Sequence, residues 1–204
     1  MKSKALLLLM AGLMLATMAF ANDMKLVVTG DAYITPNDGN NYEDAWGISA
    51  GVEHPLYKNL KGIASVSHMT DINFPSVDDP KGNWGELRGY GAMYDLKFEL
   101  PYNENVIFFA KGGGGAFIWD FKENPFLQDN NVEVDVDPSL AFRAGAGVEV
   151  KLKDGWDATV EGGWFDTDIP KDARDSNGLE WNILDDDAIG LQYIYVKAGI
   201  RYRF

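Results

Sequence analysis

The densest group of residues with catalytic potential is Ser67-His68-Met69-Thr70-Asp71. A hydroxyl, an imidazole and a carboxylate are the groups that nucleophilic hydrolysis requires, provided that they lie within hydrogen-bonding reach of one another. Adjacent residues of a β-strand point to opposite faces, so Ser67 and His68 are expected to diverge. The sequence therefore favours a non-enzymatic protein without a cofactor. An enzyme stays an alternative, and it requires polar side chains that converge around His68.

Metal binding is a second chemistry to consider, because four long polar segments (35–44, 71–83, 120–137 and 166–188) carry 20 acidic and 4 basic residues. Spaced carboxylates are suitable ligands for Ca²⁺ or Mg²⁺. Six of them are candidate contacts for a divalent cation: Glu133, Asp135, Asp137, Asp185, Asp186 and Asp187. No EF-hand spacing is present, so the sequence favours solvated loop charges over a cation site.

The composition excludes several function classes. The chain has 204 residues, a net charge of −13, two histidines and no cysteine. Without cysteine there is no disulfide scaffold, thiolate metal site or cysteine nucleophile. Nucleic-acid binding requires clustered Lys and Arg to neutralise phosphates, and the net charge has the opposite sign.

Residues 1–21 have the features of a secretory signal peptide. Lys2 and Lys4 precede an apolar stretch, and Ala19-Phe20-Ala21 is a small-x-small cleavage site. We therefore predict that residues 22–204 form the mature protein as one barrel domain of 183 residues with a net charge of −15.

The rest of the chain alternates between apolar and polar residues along eight segments, which predicts strands. The connections alternate between short turns (55–59, 101–105 and 153–155) and the four long polar segments. This alternation predicts an all-β fold, an eight-stranded antiparallel up-and-down transmembrane β-barrel with short periplasmic turns and long extracellular loops. The predicted strands are 25–34, 45–54, 60–70, 85–98, 106–119, 138–152, 156–165 and 189–204.

The faces of these strands indicate what surrounds the barrel. Along 156–165, Trp156 and Trp164 enclose an apolar stripe, and eight residues span about 26 Å, or about 20 Å after a ~40° tilt. This length suits the apolar outer band of a membrane barrel. Other aromatic residues are expected in belts at the two ends of that band: Trp46, Trp84 and Trp119 beside long segments, and Tyr57, Tyr102 and Phe204 beside short turns or the end of the chain.

Charged residues on the opposite strand faces are predicted to point into the lumen. A barrel of eight strands is narrow enough to be filled by its own side chains, and confined charges must be paired or hydrated. We therefore predict a network of ion pairs that plugs the lumen, centred on Lys111, Arg143, Glu149, Lys151, Asp157, Glu161, Lys197 and Arg201. The other inward charges are Lys25, Asp31, Glu53, Lys61, Asp95, Lys97, Glu99 and Arg203. Gly112 to Gly115 lack the context of a phosphate loop and are expected to relieve crowding.

The last strand resembles the C-terminal assembly signal of bacterial outer-membrane barrels, with Lys197, Gly199, Tyr202 and a terminal Phe204 at alternating spacing. The mature chain as a whole is similar to the small OmpA/OmpX/OmpW-like family, most clearly in 144–149, 154–156 and 161–164. The resemblance implies the outer membrane of a bacterium with two membranes, contact with its lipid and lipopolysaccharide, and assistance from the barrel assembly machinery. It also implies a monomer whose chain ends with the barrel.

These observations lead to the expectation of a structural or surface-interaction role, with the acidic segments as the contact surface. Three alternatives stay open. The first is a narrow pore for small solutes or ions, and the second is an enzyme that modifies lipid A or another outer-membrane substrate. The third is a soluble lipocalin-like periplasmic binder, in which the apolar faces would point inward.

Overall fold

The fold is an eight-stranded antiparallel barrel, seen in a computed structural model that describes residues 24–36, 42–75, 83–129, 131–175 and 188–203. No helix in this part of the chain is long and apolar enough to cross a membrane. The barrel strands are β1 (Lys25–Ile34), β2 (Ala45–Tyr57), β3 (Leu60–Pro75), β4 (Asn83–Pro101), β5 (Val106–Glu123), β7 (Ser139–Lys151), β8 (Trp156–Asp175) and β9 (Ala188–Arg203). A helical turn, α1 (Pro125–Asp129), and a short strand, β6 (Val132–Val136), lie between β5 and β7.

Each barrel strand pairs with the barrel strands that precede and follow it, and β1 closes the ring by pairing with β9. The closing register aligns Lys25 with Arg203 and Ile34 with Ile194. Along the paired registers closure leaves no free strand edge, so the backbone groups there are satisfied within the wall itself. The predicted strand order and topology are confirmed.

The faces of the strands follow the predicted orientation. In β9, Tyr193, Tyr195, Lys197 and Arg201 are buried in the barrel, whereas Ile194, Val196 and Ile200 are exposed on its outside. In β4, Asp95 and Lys97 point inward, and Leu96, Phe98 and Leu100 point outward. A lipocalin-like arrangement would reverse these faces, so that alternative is wrong.

Toward the long segments, the outward face of the strands changes from apolar to polar, and the inward face changes from polar to apolar. In β4 the outward residues change from Leu96 and Tyr94 to Arg88 and Glu86, while the inward residues change from Asp95 to Leu87. The same change occurs in β5 between Phe108 and Asp120, and in β8 between Trp164 and Asp166. We call the part of the barrel on the short-turn side of this change the turn-side half. The part on the side of the long segments, which begins beyond Trp164 in β8, is the loop-side half.

The loop-side half contains more strand than the sequence predicts. β8 continues to Asp175, whereas its predicted end is residue 165, and β3, β4 and β5 are also longer than predicted. β6 pairs with the extension of β8 in the loop-side half, where it takes the position that β7 has beside β8 in the turn-side half. The prediction missed these extensions because their outward residues are polar, a pattern that is also typical of loops.

Candidate functional site

The lumen of the turn-side half is filled with buried charges in two layers. The layer nearest the short turns, the turn-side cluster, has three cations and four carboxylates: Lys25, Lys97, Arg201, Glu53, Glu99, Glu149 and Asp157. The next layer, the middle cluster, has three of each: Lys111, Arg143, Lys197, Asp31, Asp95 and Glu161. The charges are close to balanced, as a confined space with little water requires.

Glu149 is the centre of the turn-side cluster. Its Oε2 accepts hydrogen bonds from Lys97 Nζ at 2.7 Å and from Arg201 Nη1 at 2.6 Å, and its Oε1 accepts one from Lys25 Nζ at 2.5 Å. Lys25 Nζ also donates to Asp157 Oδ2 at 2.7 Å. One carboxylate therefore links cations from three strands, β1, β4 and β9, across the lumen.

Three carboxylates of this cluster surround one ammonium group. Lys97 Nζ lies 3.0 Å from Glu53 Oε2, 2.8 Å from Glu99 Oε1 and 2.7 Å from Glu149 Oε2. Carboxylate oxygens from these glutamates lie within 4.8 Å of one another, close enough to hold a metal ion. The ammonium of Lys97 already occupies the space between them, so this arrangement is a cation site that the chain fills itself.

The middle cluster connects charges to hydroxyl groups. Arg143 makes two hydrogen bonds to Asp95, from Nε to Oδ1 at 2.9 Å and from Nη2 to Oδ2, and Nη2 also donates to Ser65 Oγ at 3.1 Å. Lys111 Nζ lies 2.6 Å from Glu161 Oε1. Lys197 Nζ donates to Asp31 at 2.7 Å. These contacts hold β1, β4, β5, β7, β8 and β9 together from the inside.

Glycine provides the space that the middle cluster needs. A side chain at Gly113 would collide with the Asp95 carboxylate, and one at Gly145 would collide with the Tyr195 hydroxyl. The crowding that the glycine run from Gly112 predicts is therefore present at Gly113.

A cavity of about 20 Å³ lies between the two clusters, lined by residues that include Lys111, Arg143, Lys197 and Arg201. One water molecule needs roughly 10–15 Å³, so the cavity has room for about one. A hydrated ion is larger than this space, so passage through the lumen requires side chains of both clusters to move apart.

The lumen of the loop-side half is filled by an apolar core. Tyr33, Phe117 and Phe165 form its base with edge-to-face ring contacts at 5.5 to 5.6 Å between centroids. Residues from the loop-side parts of the strands, from α1 and from β6 continue the core toward the loop end: Ile72, Leu87, Phe121, Leu127, Val134, Ile169 and Leu191. This core was not predicted from the sequence, although the alternation of Phe117, Trp119 and Phe121 is a signal for it.

The wall of the loop-side half consists of two sheets joined at two seams. β3, β4 and β5 form one sheet, and β6, β8 and β9 form the other. At the seam between β5 and β6, Glu123 Oε1 accepts a hydrogen bond from Val134 N at 3.2 Å, and Leu127 of α1 is fully buried.

Tyr42 closes the other seam, where β1 and β2 have ended. Its hydroxyl donates to Gln192 O at 3.0 Å and accepts from Gln192 N at 2.8 Å, in the manner of a neighbouring strand. On the far side, Glu43 N donates to Asn73 O at 3.1 Å. Burial raises the pKa of the Tyr42 phenol, so the hydroxyl keeps the proton that it donates.

Most of the predicted lumen charges lie in the two clusters, and three do not. Lys61 and Lys151 are half-buried and Arg203 is exposed, and none of them forms an ion pair with a described residue. They were predicted to point into the lumen, but their strands have reached the turn-side rim, where water competes for the charge. Trp119, predicted in the outer aromatic belt, is buried in the core and donates from Nε1 to Ser139 Oγ at 2.8 Å.

The outer aromatic belts are present at several predicted positions. Tyr57, Tyr102 and Trp156 are exposed at the turn end, and Trp46 and Trp164 are exposed where the outward polarity changes. The Trp84 side chain and Phe204 lie outside the described part of the chain.

The candidate cation contacts and the candidate catalytic group do not converge in the described part of the chain. Asp135 and Asp137 are exposed, the Glu133 side chain is outside what is described, and so are Asp185, Asp186 and Asp187. Ser67 points inward and lies 2.9 Å from Ser49 Oγ, whereas His68 points outward and stacks on Tyr90 at 4.6 Å. The divergence predicted for Ser67 and His68 is confirmed.

The assembly-signal residues are divided between the two faces of β9. Lys197 belongs to the middle cluster, and Tyr202 packs against Trp156 at 4.8 Å between ring centroids. Gly199 lies against Thr29 of β1, at the strand pair that closes the barrel.

No family model matches this sequence, and no curated protein sequence matches it either. Solved structures do match. OprG from Pseudomonas aeruginosa, an outer membrane protein, has a TM-score of 0.69 at 8% identity, over 90% of this chain and 96% of that one. Neisserial surface protein A has a TM-score of 0.55 at 8% identity, over 89% and 97%. Outer membrane protein W of E. coli has a TM-score of 0.54 at 12% identity, over 90% and 98%. The chain therefore has the fold of the small eight-stranded outer-membrane barrels that its sequence resembles.

Proposed function

We propose that this protein is a monomeric outer-membrane barrel with a closed lumen and a structural or surface-interaction role. The observation that carries the proposal is the filling of the lumen over its whole described length. Two clusters of paired charges occupy the turn-side half, and an apolar core occupies the loop-side half. The cavity between the clusters holds about one water molecule, which favours a closed barrel over a pore.

The outer surface supports the membrane location. Leu96, Phe98 and Leu100 on β4 and Val196 and Ile200 on β9 are exposed side chains that water would solvate poorly. An apolar band of this kind, with aromatic residues at its edges, suits a lipid bilayer. Lipid and lipopolysaccharide would then surround the wall, and the signal peptide and the last strand would direct the chain to the assembly machinery.

The acidic long segments are the proposed contact surface. They hold 20 of the 31 acidic residues of the chain, and their net charge exceeds that of the mature protein. The apolar core and the two seams hold together the described strand extensions that support these segments. Such a surface suits a cationic partner, which it attracts over distances of about a Debye length.

Refolding into lipid vesicles followed by conductance recording tests the proposal. We expect the unboiled protein to migrate faster than the boiled protein on a denaturing gel, as a stable barrel does. In planar bilayers the same preparation should give no unitary current steps. Reproducible steps would establish the pore alternative, and a protein that stays soluble and folded without lipid or detergent would refute the membrane location.

A further inference from the structure

Charge is distributed unequally between the two ends of the barrel. The long segments are strongly acidic, whereas among the described residues the turn end carries five exposed or half-buried cations and two exposed carboxylates, Glu104 and Asp154. None of the five cations forms an ion pair with a described residue. They are Lys58, Lys61, Lys151, Lys153 and Arg203, and we call them the basic rim.

The backbone holds the segments that carry two of these cations against each other. Arg203 N donates to Gly155 O at 2.9 Å, which holds the end of β9 against the turn that contains Lys153. Gly155 has a φ of +80°, a conformation that side chains rarely adopt, so the tight turn depends on glycine here. On the outer face directly next to this turn, the rings of Trp156 and Tyr202 pack at 4.8 Å.

A third cation lies on the outer surface. Lys58 Nζ is 5.2 Å from the ring centroid of Tyr57, and Tyr57 is 66% exposed. The Lys58 ammonium is therefore held at the level of the aromatic belt. Cations and aromatic rings at one level are the combination expected where a protein meets lipid headgroups.

We propose that the basic rim binds anionic glycerophospholipid headgroups, of the phosphatidylglycerol type, in the leaflet that contacts the short turns. This inference rests on the proposed membrane location. Lys153 and Arg203 supply charge for the headgroup phosphate, and Trp156 and Tyr202 pack against the glycerol and upper acyl region. A zwitterionic lipid has no net charge for the rim to attract, so the rim selects by headgroup charge.

Electron paramagnetic resonance with spin-labelled lipids tests this selection directly. The refolded barrel is placed in phosphatidylcholine vesicles, and the association of spin-labelled phosphatidylglycerol is compared with that of spin-labelled phosphatidylcholine. One cation near a membrane surface contributes about a fivefold preference at low salt, so we expect a preference of about fivefold or more. Raising NaCl to about 1 M, where the Debye length is about 3 Å, should remove most of it.

The test variant combines Lys153→Gln with Arg203→Gln, and its matched control combines Arg88→Gln with Lys122→Gln in the loop-side half. We expect the test variant to lose most of the preference and the control to keep it. Lys153→Gln alone, in an exposed turn, gives an intermediate loss and guards against a folding defect from the change at Arg203.

Two results would overturn the inference while leaving the proposed function intact. In the first, the barrel inserts, as heat-modifiability shows, but binds both lipids equally. In the second, the test variant and the control reduce the preference by the same factor, which would mean that net charge acts without a local site. A protein that fails to insert would instead refute the membrane location, and the inference with it.

Discussion

The two halves of the barrel solve the same packing problem with opposite chemistry. In the turn-side half, charged residues such as Asp95 and Lys97 fill the interior, and apolar residues cover the outside. In the loop-side half, Leu87 and Phe121 fill the interior, and Glu86 and Lys122 cover the outside. β4, β5 and β8 run through both halves without a break in alternation, whereas β3 shifts its register between Met69 and Ile72. Alternation thus sets which residues share a face, whereas the surroundings of the wall determine which face is apolar.

The two interiors also differ in how they respond to change. A buried carboxylate that holds several cations contributes specific geometry, and its loss removes one counter-charge and one charged hydrogen bond from each of those cations. An apolar core loses transfer energy and gains a cavity when a side chain is truncated, but no charge is left unpaired. Three substitutions, in order of expected effect, separate these responses.

Glu149→Gln tests the charged interior and has the largest expected effect. Lys25, Lys97 and Arg201 all bind this carboxylate, so removal of its charge should lower the free energy of unfolding by about 3–5 kcal/mol. Urea unfolding in vesicles, followed by tryptophan fluorescence, measures the change. Glu104→Gln, in an exposed turn, is the control and should stay within about 0.5 kcal/mol of the wild type. Equal effects of the two substitutions would show that the turn-side cluster contributes little.

Leu127→Ala tests the apolar interior. Leu127 is fully buried in α1 at the seam between β5 and β6, and its truncation should cost about 3 kcal/mol. Hydrogen exchange should show faster opening of β6 and the extension of β8, while β1 and the lower part of β9 keep their protection. Asp129→Ala, an exposed position in the same helical turn, provides the comparison. Faster exchange throughout the barrel would mean that the halves unfold as one unit.

Tyr42→Phe tests the other seam with the smallest change, the loss of one hydroxyl. Two hydrogen bonds to Gln192 disappear, and we expect a loss of about 1–2 kcal/mol, confined to the loop-side half. The exchange rate of the Gln192 amide reports the change directly. Tyr57→Phe, on the exposed outer surface, should leave that rate unaltered. If the Gln192 amide stays equally protected in Tyr42→Phe, the seam is held by ring packing on Tyr193 instead.

Strand alternation made most of the barrel predictable. The faces of 156–165 and of the last strand indicate the apolar outside, and the predicted inward charges include all thirteen members of the two clusters. Lys61, Lys151 and Arg203 follow the same alternation but lie at the rim. Alternation gives the face of a residue, and it does not give the height at which the wall ends and water begins.

The loop-side half was harder to predict because its sequence pattern is compatible with both a loop and a strand whose outward residues are polar. Polar residues such as Glu86, Asp120 and Asp166, taken alone, are typical of loops, and the prediction ended the strands near them. Buried apolar residues alternate with them, including Phe121 and Ile169. They show that the strands continue with an apolar inward face and a polar outward face. Tyr42 lies in a segment with no periodicity at all, so its contact with Gln192, 150 positions away, has no sequence signal.

The number of barrel strands, their order and the face of most residues could be predicted from the sequence alone, because period-two alternation and turn lengths are local properties. Trp119, which lies in the core and not in the outer belt, is an exception. Which charges meet depends on the closed ring. Glu149 binds Lys25, Lys97 and Arg201 because closure of β1 onto β9 brings four distant strands around one lumen. Closure also placed the apolar core on the loop side of the clusters and brought Arg203 against the turn that contains Lys153, since those contacts join residues that are far apart in the chain and adjacent only in the closed ring.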